Sequence, residues 1–290
     1  MPVLLALLSA CATAVNLVLQ RDSSRAAPEE VTGWRLAGYL VRDARWLIGQ
    51  AVWVVAFAAQ ALALHLGRLS VVQPVLVTQL VFTLLIRRFA HGWPVRPAAW
   101  GSAALLCASL VLFLVAAEPR GGHPDPTSSA WGWALLATLG VAGVAITLGR
   151  AGSPERRAAC LAVGAAVLAA FQAALVKAGM QTLSTRGVLA LVAGWPLYLL
   201  VLLGAVSTVL VQAALHAGPL TVSQPLLVVV NPLVAIALSL WLYGEHFDPA
   251  PATLALGAAS FAGLVAGVVL LTRTGPRTPV AEPAGTAAAG

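Results

Sequence analysis

Charge is the scarcest property of this sequence: Asp, Glu, Lys and Arg make up 9% of it, against about 25% in soluble domains. Hydrophobic residues make up 60%, so a water-soluble globule is excluded and the bilayer is the expected surroundings. No carboxylate stands in the middle of an apolar run. Asp22, Glu29, Glu30, Asp43, Glu118, Asp125, Glu155, Glu245, Asp248 and Glu282 all fall in loops, tails or helix ends. Cysteine is equally sparse. Cys11, Cys107 and Cys160 lie inside apolar runs at no metal-ligand or disulfide spacing and read as small packing residues. No Ser-His-Asp set, metal cluster or phosphate loop can be assembled, so neither an enzyme nor a cofactor is expected. The net charge of +7 would suit nucleic acid, but the basic residues are scattered through short loops without interleaved aromatics, which excludes that partner.

Apolar runs of about 20 residues, each long enough to cross roughly 30 Å of hydrocarbon as a helix, are what the chain has in abundance. Reading them against Pro, Gly and charge gives nine spans: residues 3–20, 45–66, 69–88, 97–117, 130–149, 158–180, 195–216, 219–242 and 252–272. The expected fold class is therefore all-α, a polytopic membrane protein whose partner is the lipid bilayer. The N-terminal run could be a secretory signal, and Leu8 to Cys11 resembles a lipoprotein cleavage box. No Lys or Arg precedes the run, so a first membrane span is the better reading. The segment around Trp34, Leu36, Tyr39 and Leu40 is amphipathic and too charged to span, so a loop or the membrane surface is expected. The segment 187–194 is expected at the interface, and the tail after Thr272 is expected to be disordered.

The basic residues then orient the spans. Of the 17 Lys and Arg, all but Arg68, Arg120, Lys177 and Arg186 fall on one side of the nine spans. That side should be cytoplasmic, with the N-terminus outside and the C-terminus inside a bacterial-type inner membrane. Trp46, Trp93, Trp100, Trp131, Trp133 and Trp241 cluster near span ends, as interface anchors do.

One sentence of the sequence is written twice. HLGRLSVVQP, His65 to Pro74, returns as HAGPLTVSQP, His216 to Pro225, with His, Gly, Leu, Val, Gln and Pro in place and Ser70 answering Thr221. AVNLVLQR, Ala14 to Arg21, matches AFQAALVK, Ala170 to Lys177, pairing Asn16 with Gln172 and Arg21 with Lys177. Spans 1–4 thus correspond to spans 6–9, with span 5 as connector: residues 1–117 and 158–272 as repeats, 118–157 between them, and 273–290 as a cytoplasmic tail. An odd number of spans separates the copies, so the second is inverted. That is the architecture of alternating-access carriers, with cargo held near the midplane where the copies meet. The repeated motif also has a purely architectural reading: a helix stop at Gly, a Ser or Thr N-cap, and Pro in the first turn.

Two stretches carry a family resemblance. Tyr39 to Ile86 resembles the NIPA-like branch of the drug/metabolite transporter (EamA-like) superfamily, and WLYGEHF, Trp241 to Phe247, is similar to that superfamily's Gly-Glu signature at a helix end. The resemblance implies a nine-helix carrier of metabolites, with a magnesium or other divalent-cation pathway as the alternative implied by the NIPA-like branch. The small multidrug pumps of the superfamily use a carboxylate in the first helix, and Thr13 and its neighbours supply none. Magnesium favours oxygen ligands with a carboxylate or two, and none stands at mid-span.

Neutral amides are what the interior offers. Gly204, Thr208, Gln212 and His216 recur at steps of four, and Gln224 and Asn231 share a helix face. Pro232 leaves the Val228 carbonyl without its usual donor, which fits either a wet cavity or a kink satisfied by a neighbour. Gln60, Gln73, Gln79, Gln172, Thr208, Gln212, Gln224 and Asn231 are the candidate cargo contacts, each also readable as interhelical glue. His65, His216, Pro232, Glu245 and Lys177 are candidate gating or helix-end residues, Lys177 either snorkelling to the headgroups or serving as counter-charge for an anionic cargo. Gly263 and Gly267 form a GxxxG face suited to close packing or a homodimer. The expected function is a secondary transporter of a small polar or amphiphilic metabolite, with a divalent-cation pathway and a non-transporting membrane scaffold as alternatives.

Overall fold

A computed structural model describes residues 1–26, 42–90, 92, 95–116, 120–122, 126–218, 220–246 and 250–274. In chain order these form α1 (Pro2–Ala26), α2 (Ala44–Leu66), α3 (Leu69–Leu76), α4 (Gln79–Ala90), α5 (Pro97–Ala116), β1 (Arg120–Gly121), α6 (Ser128–Arg150), α7 (Pro154–Ala193), α8 (Trp195–Ala217), α9 (Leu220–Leu242), β2 (Glu245–His246) and α10 (Pro251–Thr274). Among the described residues nine helical segments are long and apolar enough to cross a membrane, with α3 and α4 together making the third. Helix is the form an apolar segment must take in lipid, where no water satisfies the backbone. Large side chains such as Leu47, Trp53, Val111, Leu136, Leu189 and Val209 point outward around the bundle. The protein is an all-α polytopic membrane protein. The amphipathic stretch at Trp34, Leu36, Tyr39 and Leu40, and the tail beyond Thr274, lie outside the described residues.

Helix starts follow local chemistry. Asp43, Thr127 and Ser153 sit at N-caps and accept from the backbone N–H of Arg45, Ala130 and Arg156. The motif does not follow this rule. Arg68 occupies the N-cap of α3 without a side-chain cap bond, and the Ser70 hydroxyl donates instead to Glu245, which corrects the expected Ser cap.

The two copies pack alike. On α1 the small residues Ala6, Ala10 and Ala14 are buried, and on α7 so are their counterparts Ala162, Ala166 and Ala170. The Ser9 hydroxyl donates to the Ala56 carbonyl at 2.8 Å, joining α1 to α2. In the second copy the aligned residues are Ala165 and Ser207, and there the Ser207 hydroxyl donates to the Ala165 carbonyl at 3.3 Å, joining α7 to α8. The register of the two helix pairs is therefore the same, with the hydroxyl on opposite partners. Asn16 lies against Gly49 and Gln172 against Gly204, so each copy seats a polar side chain over a glycine.

Glycine also closes each motif. A Cβ on Gly67 would stand 2.7 Å from Pro2, and one on Gly218 would stand 2.8 Å from the Pro154 carbonyl and 3.0 Å from Ala158. Each motif glycine thus meets the first turn of the leading helix of its own copy. The corresponding helices α5 and α10 pair with each other: Ser102 meets Thr274, Leu106 meets Gly267, Ser109 meets Gly263 and Phe113 stacks edge-on with Phe261. That ladder ascends one helix as it descends the other, so these equivalent spans run antiparallel. The Gly263 and Gly267 face lies against α5 of the same chain, the close-packing reading of that pair.

The copies differ in two places. Span 3, read as one helix, breaks after α3: the N–H groups of Val77 and Thr78 bond back to Pro74 and Val75, and the Thr78 hydroxyl also bonds Val75. In the second copy α9 runs on through Pro225 and Pro232. The carbonyl that Pro232 deprives of a donor belongs to Val228, the residue aligned with Val77, so both copies loosen the ladder at the same place. The second difference is α7. Its most apolar window is 72% buried against 33% for α1, and it continues beyond the expected end near residue 180. A Gly187 with φ 80° breaks it there, a left-handed value that disfavours any residue with a Cβ.

Candidate functional site

At one end of the bundle a cavity of about 240 Å³ is lined by His65, Leu66, Gly67 and Arg68 of the α2–α3 turn, Gly121 and Gly122, Lys177 and Gln181 of α7, and Tyr243 and Glu245. The repeated motif and the Gly-Glu signature thus meet in one place. Glu245 follows the end of α9, yet its side chain is only 2% exposed and that of Lys177 16%. A carboxylate so enclosed must be paired or neutral, and this one is paired. Lys177 Nζ lies 3.2 Å from Oε1 and the Ser70 hydroxyl donates to Oε2 at 2.5 Å. Glu245 therefore ties α3 of the first copy to α7 of the second.

Neighbouring groups fix this tie. The Lys177 ammonium sits 4.6 Å above the Tyr243 ring, a cation–π geometry. The Tyr243 hydroxyl donates to the Ala174 carbonyl at 2.8 Å. Burial first, and the nearby Glu245 carboxylate second, hold that phenol well above its ordinary pKa, so it remains a protonated donor. Trp131 packs edge-on against Phe171, Trp195 and Tyr243 beneath it. From the other side β1 pairs antiparallel with β2, Arg120 opposite His246 and Gly121 opposite Glu245. Gly121 has φ 68°, and a Cβ there would collide with the His246 ring, so the loop closes on β2 only because this residue is glycine.

The expected residues divide. His65, Lys177 and Glu245 come together at the cavity. His216 is exposed at the opposite end, beside the start of α7 that Gly218 contacts. Pro232 is buried within α9. Snorkelling is overturned for Lys177, whose ammonium turns inward to Glu245. None of Gln60, Gln73, Gln79, Gln172, Thr208, Gln212, Gln224 and Asn231 lines the cavity. Gln212, Gln224 and Thr208 are exposed, and the Thr208 hydroxyl is returned to the Gly204 carbonyl of its own helix. Gln172 reaches the Leu203 carbonyl at 3.4 Å as interhelical glue. Gln60 and Gln79 are half-buried. Gln73 is buried with its Nε2 unpartnered, and Asn231 is half-buried with its Oδ1 unpartnered. Arg68, Gln181 and Tyr243 were not singled out as site residues from sequence, and Ser70 was read only as a helix cap of the repeated motif. For Arg68 a signal existed: with Lys177 it belongs to the few basic residues on the Lys/Arg-poor side.

Fold and site define an integral membrane protein with a charged cavity at one end of the bundle. The chain is 30% identical over 230 residues, 79% of each chain, to an uncharacterized protein of Corynebacterium glutamicum, and it belongs to that protein's family. No protein-family model and no solved structure matches it.

Proposed function

We propose that the protein is a secondary carrier that moves a small polar solute across the membrane by alternating access between two inverted halves. The observation that carries this reading is the shared register of α1 on α2 and α7 on α8, Ser9 with Ala56 and Ala165 with Ser207. Two like halves threaded in opposite senses have two equivalent ways of fitting together, one open to each side. The antiparallel α5–α10 pair supports the inversion. The tie from Ser70 through Glu245 to Lys177 joins the halves at one end, in addition to the α5–α10 pair, and so closes that end. By the distribution of Lys and Arg this end faces outward and the N-terminus lies outside. The likeness of Trp241 to Phe247 to the drug/metabolite transporter signature points the same way.

A magnesium pathway has less support. Glu245 is the one carboxylate among the described residues lining the cavity, both its oxygens are engaged, and two cations, Arg68 and Lys177, stand beside it. The test is flux into proteoliposomes across a panel of carboxylates, phosphate esters, amines, sugars and magnesium. Wild type should move at least one solute faster than protein-free vesicles. Leu66→Trp, which fills the cavity mouth, should slow it several-fold, and Gln212→Ala on the exposed face of α8 should not. Failure of every solute to exceed protein-free vesicles would refute the carrier.

A further inference from the structure

The geometry points to the cavity as a binding site for a small organic anion bearing a carboxylate or phosphate group, held by Arg68 and Lys177; as a statement about cargo it rests on the carrier reading above. Orientation does not account for these two cations. They stand on the side where basic residues are otherwise few, on separate elements, the α2–α3 turn and α7, and both line one cavity. Glu245 offsets only one of them. Its Oε1 is taken by Lys177 and its Oε2 by Ser70, and among the described residues the Arg68 guanidinium has neither a hydrogen bond nor an ion pair. A guanidinium presents planar paired donors that match a carboxylate or phosphate face to face.

The rest of the lining completes the description. Gln181 brings an amide, and His65 brings a ring whose buried Nδ1 has no partner. At about 240 Å³ the space suits a solute smaller than the drug-sized ligands of roughly 300–1,000 Å³ pockets. A cationic ligand would meet two like charges with the nearby carboxylate already engaged, and a neutral one would leave Arg68 unanswered. An anion between Arg68 and Lys177 also competes with Glu245 for the lysine. Binding then loosens the tie between Glu245 and Lys177, while the Ser70 hydroxyl keeps its own oxygen of the carboxylate.

The test uses the full chain in phosphatidylcholine nanodiscs. Its thermal midpoint is followed against acetate, lactate, inorganic phosphate and glycerol phosphate, with sodium chloride at matched ionic strength, choline chloride and glycerol as controls. At least one carboxylate or phosphate should raise the midpoint beyond chloride. Arg68→Gln should keep the unliganded midpoint and weaken the apparent affinity by about tenfold, the scale of one lost charge-assisted contact, whereas Arg150→Gln at the opposite end should leave it unchanged. A second arm replaces the lipid with phosphatidylglycerol. Stabilisation by that lipid alone, lost in Arg68→Gln while soluble anions do nothing, would identify a headgroup and overturn the cargo assignment. No anion exceeding chloride, or an undiminished response in Arg68→Gln, would overturn the site. Anion binding without flux keeps the site and removes the carrier. Flux of neutral or cationic solutes alone, indifferent to Arg68→Gln, does the reverse.

Discussion

Glu245 carries more of the structure than its place after a helix suggests. Enclosing a carboxylate is tolerated because Lys177 and Ser70 answer both oxygens, and removing one partner of a buried pair costs about 3–5 kcal/mol because the other is left uncompensated. Lys177→Met should therefore lower the thermal midpoint in detergent sharply. The double variant Lys177→Met/Glu245→Gln should recover most of the loss, since neither charge is then stranded; equal damage in single and double variants would show that the pair is not what holds this end. Ser70→Ala should cost less, about 1.5–3 kcal/mol for a hydrogen bond to a charged group, read from the same melting curves. None of this was legible from spacing alone. Glu245 was read at a helix end and Lys177 near the expected end of span 6, and both readings turn on burial created by α3, α7 and β1 together.

The repeated motif is explained by close approach. Gly67 and Gly218 each leave no room for a Cβ against the first turn of α1 and α7, so Gly67→Ala and Gly218→Ala should both destabilise, each by about 1–3 kcal/mol as overpacking does. Gly101, helical in α5 with nothing within 4 Å of its added Cβ, supplies the contrast: Gly101→Ala should stabilise by about 0.5–1 kcal/mol through helix propensity. Thermal melts of the three variants decide it, and a harmless Gly218→Ala would remove the equivalence of the copies at this contact. At this scale the sequence was most informative. Apolar runs bounded by Pro, Gly and charge are dictated by bilayer thickness, so the nine spans could be read with ends near those observed. The exceptions have local causes. Span 3 breaks where Thr78 returns its hydroxyl to Val75, and α7 outruns its apolar core because 181–186 is polar yet still helical.

In the molecule as a whole α6 packs against α7 and α9 of the second copy, and α7 is more enclosed than its counterpart α1. The proposed inversion rests in the sequence on aligned residues that lie an odd number of spans apart. The cavity was not legible in the sequence, since it gathers residues from four separate stretches, and none of the expected amides lines it. The charge distribution held the clue: Arg68 and Lys177 are basic residues on the side where topology wants few. The central claim is that the two copies of the motif face opposite sides of the membrane. In a chain with Cys11, Cys107 and Cys160 replaced by alanine, Leu66→Cys and His216→Cys would be exposed to a membrane-impermeant maleimide in intact cells and again after permeabilisation. Leu66→Cys should label in intact cells and His216→Cys only once the membrane is opened; labelling of both from one side would contradict the inverted architecture and the carrier built on it.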